Sequence, residues 1–299
     1  RPLSAVDAVR RREGGRTHRG APSDGAIETD SEGALVRFLL VPRHPDDALT
    51  PVSLSSPHAA CRICGGSSWS DVYVGPIRTG KFGTASTTPF HVIRCGTCGV
   101  DRLDPMPVQA AVYESGTYRM QVDGGADAGT YYANHDAELA ERLALIGSGS
   151  IRGKVIADVG CGAGTFLDLV KGLASRTIGV EPQKDFAAVL TGNGHNHYAY
   201  AAALKKAAPA SVDLAFSFQV IEHVVDPLEF LSDIRACLKP NGALHLTTPN
   251  RNDILMAIGP ESYRRFFYRI AHPWYFDADS LRELAGRAGL KVLKMMTPH

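Results

Sequence analysis

The stretch VIADVGCGAGTFL, residues 155–167, decides how this chain is read. An apolar run ends in Asp158, glycines follow at 160, 162 and 164, and a helix-like segment opens at Thr165. Strand, glycine-rich turn and helix N-terminus together make a site for a polar or anionic ligand. Bare backbone lets the ligand approach, and the first helical turn offers unbonded N–H groups. The order of the glycines narrows the ligand. A dinucleotide fingerprint places them at the first, third and sixth positions. Gly160-Cys161-Gly162-Ala163-Gly164-Thr165 has them at the first, third and fifth.

Two acids frame this turn. Asp158 stands where it would meet a cationic group, and Glu181 ends the next apolar run, RTIGVEP, where an acid accepts hydrogen bonds from both ribose hydroxyls. A ligand with an amino group, a carboxylate and a ribose, and no pyrophosphate, satisfies the pattern; S-adenosylmethionine is such a ligand.

From residue 151 onward strands and helices alternate, which predicts a parallel sheet with crossover helices on both faces. KVIADVG, RTIGVEP, HYAYA, VDLAFSFQV, GALHLTTPN and LKVLKMM read as six strands. DPLEFLSDIRACLKPNG reads as a helix with Asp226 as N-cap, Pro227 in the first turn and Pro240-Asn241-Gly242 past its end.

DVGCGAG followed by GVEP resembles the class I S-adenosylmethionine-dependent methyltransferases, and VDLAFSFQVIEHVVDP and LKPNGALHLTTPN look like that family's fourth and fifth strands. The resemblance covers 151–299 and implies a Rossmann-like α/β sheet. It implies that Asp158 faces the methionine amine and that the backbone from Gly160 through Cys161 and Gly162 to Gly164 lines the methionine part. Glu181 would hold the ribose, and Gln219 is placed with the cofactor residues. Two features depart from the family. No acid lies between His197 and Asp213 to hold the adenine amine, which leaves backbone groups around Ala202. The family's seventh, antiparallel strand is also missing from the C-terminal end.

The fourth strand runs into Gln219-Val-Ile-Glu222-His223. Methyl transfer is an in-line displacement, so the protein must align the nucleophile and remove its proton. Histidine as a residue type titrates near neutrality, which makes His223 the candidate base, with Glu222 orienting it or acting on the acceptor; capping or loop packing is the competing structural role. Some relatives with an acid at position 219 bind a divalent metal. Gln219 is an amide, a weaker donor for a hard cation, so catalytic magnesium is not expected. His272 is a second candidate for the pocket. The aromatic run YRRFFYRIAHPWYF (263–276) reads equally as a lid or as core, and Tyr113 and Tyr118 as structural residues or as a cover for the cofactor.

Upstream, CRICG and CGTCG supply Cys61, Cys64, Cys95 and Cys98. Each unit ends in a glycine that permits a tight turn, and the set predicts a closed, structural four-cysteine zinc site in a small ribbon-like module. Cys161 and Cys237 read as small buried side chains. The predicted organisation is a poorly ordered segment over 1–55, the zinc module over 56–107, a helical connector over 108–150 and the cofactor-binding domain over 151–299. A four-cysteine module preceding such a domain resembles the zinc-binding sugar methyltransferases, which implies a sugar, glycoside or sugar-nucleotide acceptor, methylated on oxygen or carbon, with the Glu222-His223 pair handling the proton.

Composition is ordinary for a soluble globular protein. The 299 residues are 44% hydrophobic and 21% charged, with a net charge of +1, so no nucleic-acid or membrane partner is demanded. With no apolar signal segment, a reducing, cytoplasmic setting is expected, where Cys-x-x-Cys units bind metal. The alternative is an RNA-modifying methyltransferase whose ribbon docks nucleic acid; the absence of a basic stripe around 61–98 weighs against it.

Overall fold

The computed structural model describes residues 35–42, 60–80, 84–106 and 110–297. Its strands are β1 (Leu35–Pro42), β2 (Trp69–Gly75), β3 (Phe90–Cys95), β4 (Asp101–Asp104), β5 (Val155–Val159), β6 (Arg176–Val180), β7 (Asn196–Tyr198), β8 (Val212–Phe218), β9 (Leu238–Pro249), β10 (Trp274–Tyr275) and β11 (Leu290–Met296). They form two sheets. A seven-stranded sheet has the order β11-β1-β9-β8-β5-β6-β7, and a four-stranded sheet the order β10-β4-β3-β2.

In the large sheet β9, β8, β5, β6 and β7 pair in parallel, as the alternation of strands and helices predicts. Helices on both faces bury these strands, so β5 and β6 read as nearly unbroken apolar runs. Asp226 caps the helix Pro227–Cys237 by accepting the N–H of Leu228 and of Glu229 at 3.1 and 3.0 Å.

The antiparallel place between β9 and β11 is filled from the other end of the chain. β1 pairs antiparallel with both neighbours, so that Leu40 stands opposite Leu244 and Val292. The expectation of poor order over 1–55 therefore fails at 35–42. The Gly/Arg/Ser-rich surroundings conceal an apolar run whose backbone groups gain two ladders, and Leu40 is fully buried. The remainder of that segment, 1–34 and 43–55, lies outside the described residues.

The small sheet is antiparallel throughout. Its fourth strand, β10, comes from the far end of the chain: Trp274 pairs with Arg102 and Tyr275 with Asp101. Tyr73, Ile77, Val92 and Leu103 pack with Phe267, Tyr268 and Tyr275 in one buried cluster. The aromatic run 263–276 is thus chiefly core, tying the ribbon to the large sheet. Within it, only His272 and Arg269 reach the cavity at the C-terminal ends of β5, β6 and β8.

Candidate functional site

The C-terminal ends of β5, β6 and β8 open onto a cavity of about 500 Å³. Asp158 lies in its wall, 3% exposed. Burial, reinforced by the charge of Glu181 and opposed by Arg142, pushes its carboxyl up to about 7. Glu181 is also buried, and desolvation raises its pKa against the pull of Arg119. Each Glu181 oxygen already accepts a backbone N–H at 2.9 Å, Oε2 from Gly162 and Oε1 from Gln183. One lone pair of each oxygen remains for a ligand, and the backbone bonds fix where it points.

The glycines divide their roles. Gly160 and Cys161 line the cavity, whereas Gly162 and Gly164 do not. All three turn glycines have positive φ, +83°, +55° and +96°. A Cβ at Gly162 would sit 2.2 Å from Cζ of Tyr131, and one at Gly164 would sit 2.7 Å from Cδ2 of Leu190. The bare backbone at 162 and 164 thus serves turn geometry, the Tyr131 ring and packing against Leu190. Of the turn, 160 and 161 are the positions that face the cavity.

Two arginines that sequence reasoning passed over enter the same cavity. The Arg119 guanidinium lies 4.7 Å over the Tyr131 ring and pairs with Asp123 at 3.2 Å. Arg142 pairs with Glu138 and lies 4.4 Å over the Phe218 ring. Nothing in their local sequence distinguishes them from surface arginines of the connector. Tyr131 is missed for the same reason, since its partner Gly162 is distant in the chain.

At the other side of the cavity stand Gln219 and His223. Gln219 has φ +55°, an uncommon backbone for a side-chain-bearing residue, where the chain turns out of β8. His223 is held by the carbonyl of Ala271, 2.8 Å from Nδ1. A carbonyl only accepts, so Nδ1 carries the proton and Nε2 keeps its lone pair. Desolvation lowers the His223 pKa to about 4, partly opposed by the Ala271 hydrogen bond. Glu222 does not line the cavity: it is buried behind His223, with Oε2 accepting from Thr248 Oγ1 at 2.9 Å and Oε1 4.0 Å from His223 Nε2. His272 lies in the wall beside them, its ring centroid 4.5 Å from that of His223. Tyr113 and Tyr118 also line the wall and flank His223, with ring centroids 5.8 and 5.2 Å away.

Residues 131–295, more than half of the chain, match the family model described as a methyltransferase domain. The chain belongs to this methyltransferase family. Within it, a ubiquinone biosynthesis O-methyltransferase of Bradyrhizobium diazoefficiens is 34% identical over 127 residues, covering 40% of this chain and 50% of the relative. One from Cereibacter sphaeroides is 32% identical over 144 residues, 44% and 58% of the two chains. A probable S-adenosylmethionine-dependent methyltransferase of Mycolicibacterium smegmatis is 30% identical over 176 residues, 57% and 63%. The chain spans about half the length of the curated relatives it matches first. Among solved structures, a SAM-dependent methyltransferase from Archaeoglobus fulgidus shares 23% identity at a TM-score of 0.41, over 52% of this chain and 68% of that one.

The methyltransferase site fits the family's cofactor on its own geometry. A buried acid in the wall (Asp158), a second acid with its oxygens aimed by backbone (Glu181), and two cavity-facing guanidiniums match an ammonium, a ribose and a carboxylate.

A second cluster lies in the ribbon. Ligand atoms of Cys61, Cys64, Cys95 and Cys98 all lie within 4.8 Å of one another, with Sγ pairs Cys61–Cys98 at 3.7 Å and Cys64–Cys95 at 3.5 Å. A tetrahedral ion about 2.3 Å from each sulfur holds sulfurs roughly 3.8 Å apart. Gly65 and Gly99 close the two knuckles with the same φ, +75°, and donate N–H to the carbonyls of Cys61 and Cys95. The repeated geometry explains why each Cys-x-x-Cys unit is followed by glycine.

Proposed function

We propose that this chain transfers the methyl group of S-adenosylmethionine to a hydroxyl of a small-molecule acceptor. The observation that carries the proposal is the buried Asp158–Glu181 pair at the ends of adjacent strands, opening with Gly160 and Cys161 onto the cavity that also holds His223. In this reading Asp158 meets the ammonium, Glu181 accepts from the ribose hydroxyls, and Arg119 and Arg142 neutralise the carboxylate. The backbone of 199–202, in the cavity wall, takes the place of the absent adenine-binding acid. The bound cofactor supplies an electrophilic methyl on a sulfonium. The protein's part is to hold the acceptor oxygen in line with that methyl, to exclude water and to accept a proton at Nε2 of His223.

Oxygen is favoured over carbon by the relatives, whose names specify O-methylation. The sugar or glycoside expected from the four-cysteine arrangement stays in the acceptor panel as one arm. We also propose that the cysteine cluster holds zinc in a structural role: four thiolates close the coordination sphere and leave no position for substrate. Incubation with S-adenosylmethionine and phenolic, glycosidic and sugar-nucleotide acceptors, read by mass, tests the function. Cofactor binding without a methylated product from any small molecule would shift the reading to a binding scaffold, and product on RNA alone to nucleic-acid modification.

A further inference from the structure

Two neighbouring tyrosines of the helix Ala128–His135 meet the glycine turn. The Tyr131 ring closes on Gly162, and the Tyr132 hydroxyl lies 3.1 Å from the carbonyl oxygen of Ala163. That carbonyl shares a peptide with the N–H of Gly164, which donates to the carbonyl of Cys161 at 3.0 Å. Cys161 lines the cavity, so a chain of hydrogen bonds runs from Tyr132 to the wall that a ligand meets. We propose that Tyr132 is a positioning residue for the cofactor: by holding the 163–164 peptide it sets the angle of the cavity-facing backbone at Gly160 and Cys161. The identity of that cofactor rests on the methyl-transfer reading.

The start of the turn is already tied to β6. Gly160 donates to the carbonyl of Val180 at 2.7 Å, and Gly162 to Oε2 of Glu181 at 2.9 Å. The end of the turn is looser by composition. Ala163 lies between two positive-φ glycines, 162 at +55° and 164 at +96°, and glycines leave a peptide wide rotational freedom. The Tyr132 hydroxyl is placed on that peptide, where a single hydrogen bond restrains most.

Burial pushes the Tyr132 phenol up to about 12, so it keeps its proton at neutral pH. It has one proton to donate and faces two acceptors, the Ala163 carbonyl and Oδ2 of Asp168 at 2.8 Å. Asn193 Nδ2 donates to both the hydroxyl and Oδ2, at 3.0 Å each. The other Asp168 oxygen is held by Lys171 at 2.8 Å and lies 3.3 Å from Nε2 of His195. Asp168 therefore draws the phenol proton away from the turn, and its removal leaves that proton to Ala163. This opposition separates positioning from structural support. A cluster that only joined the helices would lose cofactor affinity in step with stability at each of its members. A hydroxyl that acts through Ala163 loses affinity at Tyr132 alone.

Calorimetry with S-adenosylmethionine on the full chain, beside thermal melts, tests this with Tyr132→Phe, Asp168→Ala and the milder Asn193→Ala. Tyr132→Phe should weaken cofactor binding by about three- to tenfold, the ratio one hydrogen bond supports. With an acceptor in hand, its KM for the cofactor should rise while kcat is unchanged. Asp168→Ala and Asn193→Ala should melt lower than the native protein yet bind the cofactor with native affinity. Native affinity in Tyr132→Phe overturns the proposal, and so does a loss in either of the other variants that matches the loss in Tyr132→Phe. Both of those outcomes leave the methyl-transfer reading standing. A native protein that binds no S-adenosylmethionine ends that reading and the role of Tyr132 with it.

Discussion

The phenol oxygen of Tyr113 lies 3.1 Å from Nδ1 of His223, and both groups converge on the carbonyl of Ala271, at 3.3 and 2.8 Å. The carbonyl accepts from both, so Tyr113 helps to set the imidazole tautomer and its angle. This joins the connector helix Ala110–Glu114 to the loop that carries the candidate base.

Tyr113→Phe keeps the ring and removes that contact. Turnover should fall by a few-fold to about tenfold, with cofactor affinity unchanged. His223→Ala should cost about 10²–10⁴-fold in turnover, the range of a general acid–base group. Single-turnover kinetics beside calorimetry checks both; a parallel loss of cofactor affinity would place His223 in the binding half of the cavity instead.

Asp158 gives cofactor binding a pH dependence with a definite sign. Its carboxyl is pushed up to about 7 by burial, so below that pH it is protonated and cannot pair with an ammonium. Affinity should be full above pH 7 and weaken toward tenfold per unit as pH falls below it, with proton release on binding. His223, lowered to about 4, does not titrate in this window. Calorimetry in buffers of different ionisation enthalpy measures the released proton. Asp158→Asn should bind weakly and without pH dependence between about 6 and 8; an unchanged profile in that variant would assign the titration to another group.

The ribbon reaches the site through two contacts. Trp274 in β10 donates its indole N–H to the carbonyl of Val224 at 2.9 Å, and Arg62, between two ligand cysteines, pairs with the helix cap Asp226 at 3.3 Å. On the proposal that the four cysteines hold an ion, its loss should therefore loosen the segment from Val224 to Asp226 as well as the ribbon. Cys64→Ser, or treatment with a strong chelator, should lower the melting temperature and raise hydrogen exchange at 220–226. Exchange confined to 61–98 would make the ribbon an independent appendage.

Much of the site was legible because its parts are local. The glycine turn, Asp158, Glu181 and the cap at Asp226 each lie within a few residues of the strand or helix that positions them. The cysteine quartet was legible because its spacing and trailing glycines form a repeated pattern in two short stretches. What escaped depends on contacts distant in sequence. Arg119 and Arg142 look like any helix-surface arginine until the connector folds over β5 and β6. Tyr131 matters through Gly162, and β10 completes a sheet begun far upstream at β2. The misjudged order of 35–42 has the same origin: a lone apolar run shows neither neighbour in the sheet.

Leu40 tests that last element. It is fully buried within β1, opposite Leu244 on one side and Val292 on the other. Truncation removes buried methyl groups and leaves a cavity, so Leu40→Ala should destabilise the protein by about 2–5 kcal/mol. For a domain of this size each kcal/mol lowers the melting temperature by roughly 2–4 °C. Leu40→Asp should be worse, since it buries a charge with no partner between two ladders. Removing β1 altogether would bare the facing edges of β9 and β11 and promote association through them. Thermal melts and light scattering distinguish these outcomes. If Leu40→Asp melts with the native protein, the strand between β9 and β11 is dispensable and the sheet must close there by other means.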